Sequence, residues 1–424
     1  MSLPDIIEIV PLESPPEMEI TIPGSKSITN RSLVLAALSN GEVILENALW
    51  SEDTQVMVDA LKSLGYEIEV NSDPKESGNR NIIIGGRGES IPKGGTSEDP
   101  MELFVGNAGT AARFLTALLC LGDGSYRLSG VPRMHERPQA SLLQALRDLG
   151  YSIDSENDKL PITIHAGGPI SGTCRVSIEE SSQFASALLL LSKVGGWKIE
   201  IDGELGEKSP YVAMTSRLIE RFPSQGGRWR IEPDASSGSY FWAAGHILSM
   251  DNGLPVQVVH WPKSGWQIDA EFPTFLPLPK IVSRRDDLGD SIMTSIIIAP
   301  LAGHQTQFVD LGRLRLQECE RVKALRTELT KCGALINESG DKLVISPSEL
   351  NGAEINTYND HRIAMCFATL GLKVPGIRVK NPDCVRKTFP TFFYKFAAPR
   401  PHGLGAILLD GQGKKLEADK LITD

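Results

Sequence analysis

The chain has 424 residues, of which 41% are hydrophobic and 23% are charged, so it carries enough apolar material for about two or three folding units. Its net charge of -10 excludes a general nucleic-acid binder, because phosphate backbones select proteins with clustered lysine and arginine. The six cysteines form no CxxC pair, the seven histidines show no metal-ligand spacing, and no apolar run approaches a membrane span. We expect a cytoplasmic protein without metal, cofactor, nucleic-acid or membrane partners.

Helical periodicity and turn residues predict a series of helices along the chain. They are expected at 27–38, 110–121, 183–193, 210–221, 238–249, 291–302 and 361–372. Between them, the polar, glycine-rich segment 73–100 predicts an exposed hairpin or loop, and residues 398–424 predict a loosely attached tail.

Three further segments share one pattern, an amphipathic helix followed by a glycine and an apolar strand. The segments are 56–68, 141–153 and 323–336, and their glycines are Gly65, Gly150 and Gly333. Each glycine stands where a helix favours a left-handed end. The pattern indicates duplicated βαβ-type units in an α/β fold, although helix, glycine and strand also follow one another in many unrelated α/β proteins.

Residues 23–41 read PGSKSITNRSLVLAALSNG and join a turn to an apolar helix. Unpaired amides at the helix start favour an anion, and Lys26 and Arg31 add full charges to the same region. A capped helix with two solvated cations is the alternative. No Walker loop is present.

Similar helix starts follow along the chain. Asn107, Gly109 and Thr110 precede an apolar helix that contains Arg113 one turn further on. Ser181, Ser182 and Gln183 offer neutral donors and acceptors suited to hydroxyls or phosphate oxygens. Between these two motifs, the turn GVPRMHERPQ packs four charged or titratable side chains between prolines, namely Arg133, His135, Glu136 and Arg137.

The C-terminal half repeats this arrangement of charged residues at turns. Its candidates are Asp290, Glu318, Arg321, Asp360, His361, Arg362, Arg386 and Lys387. Cations that recur in glycine-containing or capped turns of an acidic protein indicate small, multiply anionic substrates. Asp290 and Glu318 are candidates for general base and general acid, provided that the fold brings them together.

The motifs PGSKSITNR, GNAGTAARF, PRMHERP, SSQF, PYV, DASSGSYF, GDSIMT, YNDHR and KTFP follow one another in this order. As a series they resemble the 5-enolpyruvylshikimate-3-phosphate synthase family over about residues 20–393. The resemblance implies transfer of the enolpyruvyl group of phosphoenolpyruvate to the 5-hydroxyl of shikimate 3-phosphate, with release of phosphate and without a metal. It also implies a place in the shikimate pathway of aromatic amino acid biosynthesis and inhibition by glyphosate.

The same resemblance implies an α/β fold, specifically a two-domain inside-out α/β barrel in which each domain has three βαβαββ units and the active site lies in the interdomain cleft. The first domain is expected to be discontinuous, with residues 1–23 and 236–424, the latter including the tail 398–424. The second domain is expected at 24–235, and the protein is expected to be a monomer.

Site residues also follow from the resemblance, position by position. Shikimate 3-phosphate is expected at Lys26, Ser27, Arg31, Ser181, Ser182, Gln183, Tyr211, Asp290 and Gln317. Phosphoenolpyruvate is expected at Lys26, Gly109, Arg133, Gln183, Arg321, Arg362 and Lys387. The catalytic residues are expected to be Lys26, Asp290 and Glu318, with Asn107, Thr110 and His361 in support.

One motif departs from the family pattern. Where relatives carry a segment like NWRVKETDR, this chain has RLRLQECER, so Arg313 and Gln317 replace the usual asparagine and lysine. Gln317 supplies neither positive charge nor a proton, and Arg313 or Arg315 is a candidate to compensate.

This departure motivates an alternative, a homologue that acts on a related cyclic anionic substrate in secondary metabolism. A non-catalytic binding protein is a second alternative. The transferase that acts on UDP-N-acetylglucosamine is disfavoured, because it resembles GxKN near the start and uses a loop cysteine.

Overall fold

The computed structural model describes residues 3–91, 93–203, 206–249 and 254–423. The chain divides into two compact units. Unit 1 contains the described residues up to Pro23, the short segment Glu76–Gly78 and the described residues from Glu232 onward. Unit 2 contains Gly24–Lys75 and Asn79–Ile231. The sequence did not predict that the short segment 76–78 belongs to unit 1.

The helices of the described residues are named here in chain order. They are α1 (Lys26–Ala37), α2 (Glu52–Ser63), α3 (Gly109–Cys120), α4 (Pro132–Glu136), α5 (Ala140–Asp148), α6 (Gln183–Gly195), α7 (Pro210–Arg221), α8 (Ala235–Leu248), α9 (Ile292–Ile298), α10 (Arg321–Lys331), α11 (His361–Gly371) and α12 (Phe392–Ala397). Short 3-10 helices include Ile268–Phe275, Ala299–Leu301, Gly312–Leu316 and Pro382–Lys387.

The strands of the described residues follow in the same way. They are β1 (Ile6–Ile9), β2 (Met18–Ile20), β3 (Glu42–Leu49), β4 (Ile68–Ser72), β5 (Asn79–Gly85), β6 (Met101–Phe104), β7 (Asp123–Ser129), β8 (Ser152–Ser155), β9 (Ile162–Gly167), β10 (Gly172–Ser177), β11 (Trp197–Asp202), β12 (Gly227–Arg230), β13 (Val256–Val258), β14 (Ile281–Ser283), β15 (Thr306–Val309), β16 (Leu335–Ser339), β17 (Lys342–Ser346), β18 (Glu354–Ile355), β19 (Ile377–Lys380) and β20 (Leu408–Asp410).

The sheets of the two units share one arrangement. Unit 2 contains the strand orders β12-β3-β5-β4, β6-β7-β9-β8 and β10-β11, and unit 1 contains β18-β19-β1-β20, β14-β15-β17-β16 and β13-β2. In every four-stranded sheet the first pair is parallel and the other two pairs are antiparallel. The recurrence indicates that one supersecondary unit is used repeatedly.

A βαβαββ order is present in each unit. In unit 2 it runs from β6 through α3, β7, α5 and β8 to β9, with the short α4 inserted before α5. In unit 1 it runs from β14 through α9, β15, α10 and β16 to β17. The expected α/β fold with two units is confirmed.

Helix positions agree closely with the sequence pattern. The ten predicted helices are present, and the one expected at 291–302 is α9 followed by the 3-10 turn Ala299–Leu301. The three glycines that end α2, α5 and α10 all have φ between 88° and 100°. Only glycine adopts this backbone conformation without strain, which explains its position before each strand.

One expectation about loops is right in part and the other is wrong. The segment 73–100 does hold a hairpin turn, since β5 pairs antiparallel with β4 across residues 73–78, but it is not exposed throughout, because Ile82 and Ile84 of β5 are fully buried. The C-terminal segment 398–424 is not loosely attached in its described part. Its strand β20 pairs antiparallel with β1, and Leu404, Leu408 and Leu421 are buried in the core of unit 1.

Within the described ranges, the structure has no helix of the length and apolarity needed to cross a membrane.

Candidate functional site

The candidate residues of unit 2 lie on the first turns of packed helices. Lys26 begins α1, Gly109 begins α3, Gln183 begins α6 and Tyr211 lies in the first turn of α7. Helix α1 packs against α3, α6 and α7, and α6 also packs against α3 and α7. Helix starts carry unpaired amides and a positive dipole end, so this placement suits anionic ligands.

Lys26 is held by a carboxylate of α2. Its Nζ lies 3.1 Å from Oδ2 of Asp53, which is buried. Ser25, which precedes the helix, makes no side-chain cap to the first amides of α1. Asp53 therefore fixes the direction of the lysine at the start of α1.

Arg31 is a buried charge with neutral partners. Its Nε donates to Oγ1 of Thr215 at 2.7 Å, and Nη2 donates to Oγ of Ser186 at 3.0 Å. Its Nη1 donates to the carbonyl of Ser27 at 2.8 Å. Burial lowers the pKa of Arg31 to about 10, with a smaller opposite influence of Tyr211. The guanidinium therefore stays charged at neutral pH, and its hydrogen-bond partners among the described residues are neutral.

Two buried arginines line the start of α3. Nη1 of Arg137 donates to the carbonyl of Asn107 at 3.0 Å, and Nη2 of Arg113 donates to the carbonyl of Pro138 at 2.7 Å. A methyl group on Gly109 would lie 2.6 Å from each guanidinium. Glycine at this position therefore lets both charges approach the helix start closely.

Arg133 differs from its neighbour four residues later. Its side chain is 37% exposed, and Nη1 lies 2.6 Å from Oε2 of Glu136. The buried arginine of this turn is Arg137, which the motif contained but which the family resemblance did not assign to a substrate. The sequence of this turn does not show which of its two arginines is buried, because both stand among other charged or titratable residues.

The serines before α6 occupy a tight turn. The amide of Gln183 donates to Oγ of Ser181 at 3.3 Å, and Ser182 is buried beside them. Thr110 is buried within the first turn of α3.

In unit 1, Asp290 lies just before α9 among three arginines. Nη2 of Arg284 donates to its Oδ1 at 3.0 Å. Arg362 and Arg321 approach Oδ2 at 3.2 Å and 3.8 Å. Burial alone would raise the pKa of Asp290, but the charges of Arg362, Arg284 and Arg321 outweigh it and hold that pKa well below its usual range.

A second carboxylate, Asp269, fixes the turn that carries Asp290. Its Oδ1 accepts from the amide of Gly289 at 2.7 Å and from the hydroxyl of Ser291 at 2.6 Å. Its Oδ2 accepts from the hydroxyl of Ser236. Burial raises the pKa of Asp269 despite these donors. Sequence reasoning missed this residue, because it lies in a 3-10 segment about twenty residues earlier with no recognisable motif.

Glu318 shares an arginine with Asp290. Oε2 of Glu318 lies 2.8 Å from Nη2 of Arg321, and its Oε1 lies 3.8 Å from Nζ of Lys387. The structure therefore brings the candidate base and the candidate acid to opposite nitrogens of one buried guanidinium. Spacing alone cannot reveal this relationship.

Asp360 holds that guanidinium from the other side. Its Oδ2 accepts from Nε of Arg321 at 2.7 Å, and its Oδ1 accepts from Nη2 at 3.2 Å. The same carboxylate caps α11 by accepting from the amide of Arg362 at 2.9 Å. Burial would lower the pKa of Arg321, but the surrounding carboxylates raise it, Asp360 most strongly. His361 is buried directly after this cap.

Gln317 joins the same cluster as a neutral bridge. Its Nε2 lies 3.5 Å from Oδ1 of Asp290, and its Oε1 accepts from Nη1 of Arg321. Arg315, a candidate to replace the missing charge, is instead engaged with Glu320 at 3.0 Å and Glu338 at 2.7 Å. The hypothesis that Arg315 compensates for Gln317 is therefore wrong.

Comparisons with known proteins agree with this chemistry. A family model described as EPSP synthase (3-phosphoshikimate 1-carboxyvinyltransferase) matches residues 13–225 and 281–396. A 3-phosphoshikimate 1-carboxyvinyltransferase of Nostoc punctiforme is 37% identical, over 92% of this chain and 98% of the relative. The enzyme of the same name from Burkholderia ambifaria is also 37% identical, over 89% of this chain and 96% of the relative.

Solved structures show the same fold. An EPSP synthase from Acinetobacter baumannii matches with a TM-score of 0.69 at 21% identity, covering 95% of this chain and 99% of the other. The enolpyruvyl transferase NikO from Streptomyces tendae matches with a TM-score of 0.68 at 13% identity, covering 96% and 99%.

Proposed function

The chain belongs to the EPSP synthase family, and we propose that it acts as a 3-phosphoshikimate 1-carboxyvinyltransferase. In this reaction the enolpyruvyl group of phosphoenolpyruvate moves to the 5-hydroxyl of shikimate 3-phosphate, and phosphate is released. The observation that carries the proposal is the cluster in which Asp290 and Glu318 flank Arg321. It provides two carboxylates for proton transfer beside cations for an anionic substrate.

In unit 1, phosphoenolpyruvate binds Arg321, Arg362 and Lys387. All three side chains are largely buried, so their charges are weakly screened and attract the phosphate and carboxylate of the substrate strongly.

Two proton transfers then use the two carboxylates. Asp290 takes the proton of the 5-hydroxyl, and Glu318 in its protonated form donates a proton to the methylene carbon of phosphoenolpyruvate. The hydroxyl oxygen bonds to the adjacent carbon and gives a tetrahedral intermediate. Phosphate then leaves with the proton that Asp290 took up, and Glu318 takes back a proton from the new methyl group, which restores the double bond in the product.

The anionic substrate also adjusts the strength of the base. In the free protein three arginines hold the pKa of Asp290 low, which makes its carboxylate a weak proton acceptor. A bound phosphoenolpyruvate pairs with Arg321 and Arg362 and so weakens their lowering effect on the pKa of Asp290. Asp290 becomes a stronger base only when the second substrate is present, which ties proton abstraction to complete occupancy.

Residues of unit 2 provide the remaining recognition. Shikimate 3-phosphate binds Lys26, Ser27, Arg31, Ser181, Ser182, Gln183 and Tyr211, with Asp290 and Gln317 of unit 1. Phosphoenolpyruvate also contacts Lys26, Gly109, Arg133 and Gln183, while Asn107, Thr110 and His361 support the site. The buried position of Arg31, with its neutral hydrogen-bond partners, and the helix starts at α1, α3 and α6 support these assignments.

Release of phosphate from phosphoenolpyruvate, measured with and without shikimate 3-phosphate, tests the proposal. We expect turnover only with both substrates and formation of one enolpyruvyl product per phosphate. A folded protein that binds shikimate 3-phosphate by calorimetry but releases no phosphate would instead favour the alternative, a related cyclic anionic substrate. The proposal also includes a monomeric protein that works in the cytoplasm, which sedimentation and cell fractionation test.

A further inference from the structure

The structure contains an unexpected cation beside the candidate base. Arg284 follows β14 directly, and no motif in the sequence marks it. Its Nη2 donates to Oδ1 of Asp290 at 3.0 Å, and its side chain is only 10% exposed. This is the same carboxylate oxygen that the amide of Gln317 approaches at 3.5 Å.

The position of Gln317 explains why such a cation matters. The family pattern carries a lysine here, and a lysine would place a positive charge between Asp290 and Arg321. The neutral amide bridges the same two groups but leaves that charge out. Because the neighbouring Arg315 is bound to Glu320 and Glu338, it does not supply the missing charge.

Arg284 adds one positive charge to a cluster that is otherwise neutral. The cations are Arg284, Arg321, Arg362 and Lys387, and the carboxylates are Asp290, Glu318 and Asp360. Together they leave one positive charge in excess. A lysine in place of Gln317, with a neutral residue at 284, would leave the same excess of one positive charge.

Arg284 also differs from an arginine that only anchors a loop. Its Nε is buried and has no hydrogen-bond partner among the described residues. An unsatisfied buried donor costs stability. The residue therefore serves better as a charge beside Asp290 than as a structural link.

We propose that Arg284 supplies the positive charge that relatives obtain from the lysine at the position of Gln317, and that it positions Asp290 as the base. The inference rests on the proposed function, which gives Asp290 that role. It makes Arg284 a positioning residue for proton abstraction, and it explains how a chain with Gln317 keeps the reaction.

Four variants test this assignment. Arg284→Gln removes the charge and the hydrogen bond that hold Asp290 in place, and we expect the misplaced base to lower kcat by about 100-fold or more. Gln317→Lys in the Arg284→Gln background restores a positive charge at the position where the family carries a lysine. We expect this second substitution to raise kcat at least about tenfold above that of Arg284→Gln. Arg284→Lys keeps the charge and should retain most activity. Gln317→Lys alone adds a second cation and should bring no gain.

Arg285→Gln is the matched control. This arginine lies in the same loop, is more exposed and pairs with Asp286 at 2.9 Å, so its loss should leave kcat unchanged. Equal loss in both single variants would assign the effect to the loop and overturn the inference. An Arg284→Gln protein with the kcat of the wild type would also overturn the inference. Failure of Gln317→Lys to restore kcat in the Arg284→Gln protein would do the same.

Urea unfolding without substrates keeps the inference separate from the proposed function. We expect Arg284→Gln to lower the unfolding midpoint and Gln317→Lys to restore it in that background but not in the wild type. If wild-type protein released no phosphate while this rescue held, the proposed function would fail and the charge replacement would stand. If the two positions contributed additively, the charge replacement would fail whatever the activity.

Discussion

Arg321 and Asp360 form a bidentate ion pair that is almost completely buried in unit 1. Arg321 also contacts Asp290 and Glu318, so one guanidinium connects the two carboxylates that the proposed reaction uses. Its orientation depends on Asp360, which additionally caps α11. Removing one partner of such a pair leaves an uncompensated buried charge.

Asp360→Asn should therefore destabilise the protein strongly. The amide keeps the shape and the cap of α11 but removes the charge that opposes Arg321. We expect a loss of about 3 kcal/mol in the free energy of unfolding, measured with urea. Glu417→Gln, which breaks the exposed pair with Lys420, is the control and should unfold like the wild type. Equal midpoints for the two variants would contradict the role of Asp360.

Glu318→Gln should abolish turnover while binding of shikimate 3-phosphate persists, because the amide cannot donate the proton to the methylene carbon. We expect a loss of about 100-fold or more in kcat, measured by phosphate release, with calorimetry for binding. Glu338→Gln is the control, since Glu338 pairs with Arg315 and Arg326 outside the cluster. Unchanged turnover in Glu318→Gln would contradict its assignment as the acid.

Asp290→Asn should change how stability depends on pH. The folded-state pKa of Asp290 is lowered below the unfolded value of about 4, so its charge stabilises the fold fully above that pH. This contribution is lost as pH falls through the folded-state pKa. The variant should be less stable at pH 7 and should lose less stability between pH 5 and pH 2.

Unfolding free energies at pH 7, 5, 3 and 2 measure this difference. Glu156→Gln serves as the control, because Glu156 is exposed in the turn after β8, and its pH profile should match that of the wild type. Parallel profiles for Asp290→Asn and the wild type would show that Asp290 contributes no charge-dependent stability.

Gly109→Ala should weaken phosphoenolpyruvate and glyphosate more than shikimate 3-phosphate. The new methyl group would lie 2.6 Å from the guanidiniums of Arg113 and Arg137, so both must move from the start of α3. We expect the KM for phosphoenolpyruvate and the inhibition constant of glyphosate to rise at least about tenfold, with small change in stability. Gly303→Ala, which meets no atom within 4 Å, should leave both constants unchanged. An unchanged KM for phosphoenolpyruvate in Gly109→Ala would show that the start of α3 does not contact this substrate.

Local sequence patterns predicted most helices correctly, because apolar periodicity and left-handed glycines act within a few residues of chain. They predicted loops less well. Strand β5 lies in a segment that is polar overall, and β20 pairs with β1 across almost the whole chain. Strand pairing at such separations depends on which edges meet in the folded core, and composition does not encode that choice.

The amino-acid sequence by itself determined the helix starts, their lysines and arginines, the two candidate carboxylates and the order of motifs that resembles the family. Only the tertiary structure decided which charges meet. Asp269, Asp360 and Arg284 gain their roles from contacts with the turn of Asp290 or with Arg321. Charges interact through space, at distances that the fold sets, and the spacing of residues along the chain does not specify those distances.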